Sequence, residues 1–434
     1  MRYTFMRAAA AAALLAVPVA SAAQEHAHHA PADTSQAMSH GMFMRDIGGG
    51  WRVLGMAQVF PIITTGFGSG ANDGVTLTEF NATQPAVMFN LESAGSRIVL
   101  RTTLNFEGLT QGDGELTWGG WGEGYIDRRH PHTIVHEAML SANFTGVLGG
   151  AASLSAGKGF APYGTDDPMS RPAVKYPTNH HLSQILERYT LNGAWLRGGT
   201  SVEAGIFAGN EPTGPYDFGN HEGFPNSWSA RLTQRFSGGT EVSASFGNVV
   251  EEHGDESRTT RLVNGYVRHQ ATYGAGAVYG LVEASRADNP DHDGEDYFAI
   301  LAEGGVTRGV HAPYARVEVS TRPEFEREGP VGDDGFFRYD HDAHAIGATR
   351  WMIATLGYGY EATSLPFSVR PFVEVQHYNA ANHRGDVSVR ELFGTTRFFS
   401  ATAGFRLFLG GGPMRMGAYG VLDDMTRHGG ALQQ

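Results

Sequence analysis

The sequence predicts an all-β fold, a single transmembrane antiparallel β-barrel of about sixteen strands, with short turns on one rim and long acidic loops on the other. Three observations carry that reading. Apolar and polar residues alternate with period two, as in "RIVLRTTLNFEG", where Ile98, Leu100, Leu104 and Phe106 oppose Arg101, Thr103, Asn105 and Glu107. The alternating runs extend over about ten residues or more, the reach of a strand that crosses a bilayer at a tilt, whereas sandwich strands average about 5–6. The connections differ in kind: "RGGT" (197–200) and "SGGT" (237–240) suit tight hairpins, while "EEHGDES" (251–257), "DNPDHDGED" (288–296) and "PEFEREGPVGDDGFFRYDHD" (323–342) are long and acidic.

Taken in order, the chain opens with "MRYTFMRAAAAAALLAVPVASAAQE". Arg2 and Arg7 precede an apolar run, Ala8–Val19, and Ala20-Ser21-Ala22 supplies a small-residue processing site, so residues 1–23 read as a secretory signal peptide. Residues 24–50 read as a flexible periplasmic segment rich in His and Met. Strand candidates then fall near 51–62, 76–90, 97–107, 132–145, 150–160, 186–197, 200–208, 226–237, 240–250, 258–271, 274–286, 295–307, 310–322, 343–361, 366–379, 395–410 and 413–421. The barrel is bounded at 51–422, with "MRMGAYGVL" (414–422) as its last strand, and 423–434 is a tail. In "SVEAGIF", Val202, Ala204 and Ile206 oppose Glu203. In "YARVEVS", Ala315, Val317 and Val319 oppose Arg316 and Glu318, and in "FFSATAGFRLFL" the apolar set from Phe399 to Leu409 opposes Ser400, Thr402 and Arg406. The expected arrangement is apolar outward and polar inward.

Composition agrees. Gly is abundant at 59 residues and aromatics make up 11%, a pairing that disfavours helices and suits pleated sheet. Cysteine is absent, so a large exported chain must be held by a closed sheet or a large core and not by disulfides. The net charge of −13 argues against nucleic-acid partners, which require basic patches. No G-x-S-x-G elbow and no phosphate-binding loop is present.

Four stretches carry candidate chemistry. "YIDRRHPHTIVHE" (125–137) gathers Asp127, Arg128, Arg129, His130, His132 and His136. A strand starting at His132 would set His132, Ile134 and His136 on one face, leaving two readings: a transition-metal site, or a polar cluster pairing with lumen charges. "GKGFAPYGTDDPMSRPAVKYPTNHHLSQILER" (157–188) is a proline-interrupted loop expected to narrow the pore. It would bring Lys158, Arg171, Lys175 and Arg188 inward, with His180 and His181 able to join the first histidines. The segment "EHAHHAPADTSQAMSHGMFM" offers His26, His28, His29, Met38, His40, Met42 and Met44, a donor set suited to copper. "NPDHDGEDYFAI" has Ile300 where a calcium loop needs a bidentate Glu, so it reads as a solvated acidic loop. On the strands themselves, Arg101, Glu203, Arg316, Glu318, Arg370, Glu374 and Arg406 are the candidate pore-lining charges.

"DRRHPHTIVHEAMLSA" together with the 157–188 stretch resembles a family of uncharacterised Gram-negative outer-membrane barrels that carry D-R-x-H-P-H-D followed by a proline-rich loop with His-His. The resemblance places the motif on Asp127, Arg128, His130, Pro131 and His132, with Thr133 where an acid is common. The second block falls on Pro168, Met169, Arg171, Pro177, His180 and His181. It implies a membrane barrel associated with copper or heavy-metal resistance. "GKGFAPYG" is also similar to a strand and loop of phosphate-selective porins. The expected function is a porin-like outer-membrane channel for small polar solutes or ions, its barrel embedded in lipid, with copper or another divalent transition metal as an associated ligand. The alternatives are a barrel enzyme of lipid-hydrolase type and a non-conducting metal-binding barrel.

Overall fold

Every alternating segment but the last forms a wall strand of one closed ring in the computed structural model. It describes residues 43–67, 77–110, 115–116, 133–165, 170–177, 182–212, 214–253, 256–274, 276–290, 296–324, 327–328, 336–339, 346–361, 368–410 and 415–422. A short strand β1 (Phe43–Gly48) comes first. The wall then runs β2 (Trp51–Phe67), β3 (Leu77–Glu92) and β4 (Ile98–Asn105), and, after a two-residue loop strand β5 (Glu115–Leu116), β6 (Val135–Val147), β7 (Gly150–Gly159), β8 (Arg188–Arg197) and β9 (Thr200–Phe207). It continues with β10 (Ser227–Phe236), β11 (Thr240–His253), β12 (Glu256–Tyr273), β13 (Gly276–Asp288), β14 (Tyr297–Arg308) and β15 (His311–Glu324). Two loop strands follow, β16 (Arg327–Glu328) and β17 (Phe336–Tyr339), then the wall strands β18 (Gly347–Tyr360), β19 (Ser368–Gly385) and β20 (Arg397–Leu409).

Each wall strand pairs antiparallel with the next, and β20 returns to β2, which seals sixteen strands into a cylinder. Across that seam the Thr64 and Thr402 hydroxyls lie 2.9 Å apart. Closure removes every free edge from the wall, the condition for sheet in lipid. Turns at 148–149, 198–199, 237–239 and 309–310 mark one end, here the turn rim, and the long connections mark the other, the loop rim.

Polarity is inverted relative to a water-soluble sheet. Outward positions expose apolar side chains such as Val373 (55%), Leu356 (64%), Val317 (50%) and Leu154 (52%). Inward positions bury Arg101, Glu203, Glu283, Arg316, Glu374 and Arg406. Aromatic residues flank the band, with Phe67, Phe80, Trp228 and Phe399 toward the loop rim and Phe236, Tyr273, Tyr358 and Tyr360 toward the turn rim. An apolar belt between two aromatic girdles is the exterior of a membrane barrel. The wall is uneven: β4 and β9 have 8 residues each, whereas β12 and β19 have 18. On the tall side, outward residues above the belt turn polar, as at Arg261, Arg286, Arg350 and Asn379.

Two expectations change at the chain's ends. Strand β1 lies within the stretch expected to be flexible; it folds back as a hairpin onto Trp51–Gly55 of β2. Of the predicted strand at 413–421, the described residues 415–421 form no strand. Strand β20 already ends at Leu409 opposite Ala57, and the edge of β2 beyond that point is taken by β1, so no ladder is left for another strand. Gly417 and Gly420, at φ 76° and 61°, turn residues 415–422 into the barrel instead.

The core is therefore inside the ring, where inserted segments meet apolar patches of the wall. Val174 packs with Phe60, Trp351, Phe372, Phe398 and Phe408. Tyr163, Leu182 and Ile185 pack with Phe207, Val249 and Leu262. Met416 and Tyr419 join Phe160 and Leu186 against Met56, Met88 and Met139.

Candidate functional site: a charged and occupied lumen

Strand alternation delivers the wall charges and a long connection delivers their partners. Of the connection between Gly159 and Arg188, residues 160–165, 170–177 and 182–187 are described, and they lie inside the ring. Prolines at 162, 172 and 177 keep it irregular, and the two arms touch through Ala161 N–H to Ile185 O (2.9 Å) and Thr165 N–H to Ser183 O (3.2 Å). At Gly164 (φ 62°) an added Cβ would come within 1.8 Å of Ser183 O, so only glycine permits that approach.

The far end of the loop, residues 170–175, is clamped to the opposite wall. Arg171 bonds Thr165 within the loop and reaches Glu283 (3.4 Å) and Glu303 (3.8 Å) on β13 and β14. Lys175 Nζ donates to Tyr378 (3.0 Å) and Ser400 (2.9 Å) and is almost fully buried. Glu374 accepts the Val174 N–H (3.2 Å) and the Tyr314 hydroxyl (3.0 Å). Wall arginines also donate to loop carbonyls: Arg316 to Lys175 O (2.6 Å), and Arg406 to Arg171 O and Pro172 O (3.1 Å each). An irregular chain inside a protein must place its carbonyls somewhere, and guanidinium groups are strong donors for them.

The segment 415–422 is held in the same manner from the turn side. Arg101 donates to Ala418 O (3.0 Å) and Arg415 O (2.7 Å), and Arg231 donates to Gly417 O (3.2 Å). Tyr419 receives the Phe160 N–H (2.9 Å) and donates to Glu137 (2.8 Å), and Arg415 joins Arg235 and Arg268 around Glu241.

The candidate pore residues fall into three groups. Arg101, Lys158, Arg171, Lys175, Arg188, Glu203, Arg316, Glu318, Glu374 and Arg406 are buried inside the ring. Most of them make ion pairs or grip an inserted segment: Glu203 pairs with Arg231 (2.7 Å) and Arg188 with Glu211 (2.7 Å). Arg370 is half-buried near the turn rim beside Glu361. Asp127, Arg128 and Arg129 lie outside the described residues, as do His130, His132, His180, His181, His26, His28, His29, Met38, His40 and Met42. Met44 sits on β1, 60% exposed.

His136 is described, and its setting differs from the expectation. The strand begins at Val135, not at 132, and its register slips against β4, since Leu104 faces Val135 while Thr103 faces Glu137. This bulge turns both His136 and Glu137 inward. His136 Nδ1 lies 2.5 Å from Glu187 Oε1, and Glu187 also accepts the Thr133 N–H (3.0 Å) and hydroxyl (2.9 Å), with Lys158 Nζ 4.0 Å away. Among the described residues no group of three or more His, Asp or Glu is arranged to hold a metal ion. No spacing in the sequence singles out Glu187, Glu241, Glu283 and Glu303, the acids around which these networks form. Inward parity in "LVEAS" and "LAEGG" was the available signal for Glu283 and Glu303.

Below residues 170–172 the lumen opens toward the turn rim in a cavity of about 170 Å³, walled by β12–β15, β19 and β20.

No family model matches the chain, and no curated protein matches it. Solved structures of similar shape include the outer membrane channel DcaP of Acinetobacter baumannii, with 11% identity, a TM-score of 0.47, and coverage of 83% of this chain and 99% of that one. Outer-membrane expressed OmpT of Vibrio cholerae shows 11% identity and a TM-score of 0.46, covering 84% of this chain and all of the other. At these scores the fold rests on the ring of paired strands itself.

Proposed function

We propose that this protein is an outer-membrane channel in which an inserted loop and a carboxy-terminal segment restrict passage to small polar solutes or ions. One observation carries the reading: a closed ring of sixteen strands wears its apolar residues outside and its arginines and glutamates inside. A ring of this size is wide enough for an aqueous path unless filled, and here the filling leaves a cavity at the turn rim. Paired lumen charges offer sites that bind and release in turn, as conduction requires. Planar-bilayer recording of the folded protein tests this. Discrete ohmic steps are expected, and a correctly folded, heat-modifiable protein that stays silent would end the channel reading.

A copper-handling role is a separate proposal that rests on the His/Met-rich amino-terminal stretch and the family resemblance. Copper titration of the full chain against a variant lacking residues 24–42 tests it; equal affinity removes that stretch as the ligand.

A further inference from the structure

The cavity at the turn rim differs in charge from the rest of the molecule. The chain carries a net charge of −13, yet this cavity is lined by three arginines, Arg171, Arg370 and Arg406, and among the described residues by no aspartate or glutamate, the acids Glu361, Glu283 and Glu303 pairing with Arg370 and Arg171 from outside the lining. Arg370 on β19 and Arg406 on β20 are direct cross-strand partners. Like charges at such a position repel, a cost that Glu361 beside Arg370 offsets in part and a bound anion would offset further. The third arginine comes from the inserted loop and roofs the space. Arg406 is held rigidly: it donates to two loop carbonyls and its guanidinium lies 4.8 Å from the Phe60 ring and 5.6 Å from the Phe408 ring. Arg370 contacts Glu361, while its buried Nε has no hydrogen-bond partner among the described residues. The remaining lining suits the body of a small organic molecule: Tyr279 and Tyr314 turn their hydroxyls to Glu303 and Glu374, and Gln270 adds an amide to the lining.

We propose that this cavity is a binding station for small oxyanions, solutes bearing a carboxylate or phosphate, with Arg370 and Arg406 forming the fork and Arg171 the cap. Guanidinium groups bind such oxyanions through paired, charge-assisted hydrogen bonds. The proposal deepens the channel reading and rests on it for its role in transport, but binding at the site can be measured without conduction.

The test uses the full-length folded protein, with succinate and inorganic phosphate as probes. In bilayers under a KCl gradient, the reversal potential should report preference for chloride, and millimolar succinate or phosphate should block the current. Whichever probe blocks at lower concentration identifies the head group. Arg370→Gln removes one charged donor, worth about tenfold or more in half-blocking concentration. Thr307→Glu places a carboxylate in the same lining and should abolish block without touching an arginine. Arg350→Gln, on the outer wall, should change nothing. Calorimetric titration of the detergent-folded protein with each probe runs in parallel. Binding that is lost in both lining variants while the bilayer stays silent would overturn the channel and keep the anion site. Open channels that prefer potassium, or whose block survives Arg370→Gln and Thr307→Glu, would overturn the anion site and keep the channel.

Discussion

Two stretches occupy the lumen, the described parts of 160–187 (160–165, 170–177 and 182–187) and residues 415–422, and they are secured in different ways. The loop carries its own cations to the far wall, placing Arg171 by Glu283 and Glu303 and Lys175 by Tyr378 and Ser400. The tail brings one arginine and one tyrosine, and otherwise offers backbone carbonyls to Arg101 and Arg231. What they share is the donor type on the wall. Inward arginines can act on solutes in an open lumen and as clamps in a filled one, and Arg101, Arg231, Arg316 and Arg406 all hold inserted carbonyls here.

The largest expected effect separates the two stretches by what each obstructs. Replacing residues 166–181 with a short Gly-Ser link should raise single-channel conductance several-fold. Removing residues 411–434 should raise it less, since the described part, 415–422, is only eight residues long and lies beside the wall at Arg101, Glu137 and Arg231. Equal conductance in all three proteins would show that neither stretch limits flow. Next, Glu303→Gln takes away a carboxylate shared by Arg316 and Arg171. A buried charge left without its partner costs about 3–5 kcal/mol, to be read as a lower denaturant midpoint in detergent or bilayers. An unchanged midpoint would mean the loop clamp carries no net stability.

A third substitution sharpens the contrast between lumen and exterior. Val373→Arg puts a charge in the middle of the outward belt and should cost about 2–4 kcal/mol. A loss near zero would put Val373 in water and sink the membrane assignment. The smallest effect belongs to the tail. Tyr419→Phe deletes the hydroxyl that links Phe160 N–H to Glu137, at about 1–3 kcal/mol, and should increase current noise more than mean conductance. Quiet traces with wild-type stability would place the tail's grip on Arg101, Arg231 and the Arg415–Glu241 pair.

How far the sequence was legible follows from where each signal resides. Wall strands announce themselves locally, because "YARVEVS" or "SVEAGIF" must alternate whatever else the chain does. The seventeenth segment, "MRMGAYGVL", alternates as well as several of the others, yet pairing requires an open edge, and β1 already covers the one it would need. His136 defeated a parity reading for a similar reason. A bulge opposite Thr103 and Leu104 turns two consecutive residues inward, and no local spacing records a partner strand's slip. The apolar inward residues Phe60, Ile62, Trp351 and Phe398 also look misplaced until Val174 is seen to cover them. The inward charges are legible because inward parity is periodic. That they hold chain segments was hidden, because contacts such as Arg101 with Ala418 join residues 317 positions apart.

The seam has a consequence for how the molecule is made. Its two edges, β2 and β20, bring together residues 338 positions apart, so the cylinder cannot zip shut until nearly the whole polypeptide exists. The piece that follows β20 by a few residues ends up enclosed, gripped by Arg101 and Arg231 from strands synthesised long before it. Biogenesis must therefore tuck the tail in as the last join is sewn, and a polypeptide stopped after Leu409 would close around an empty seat.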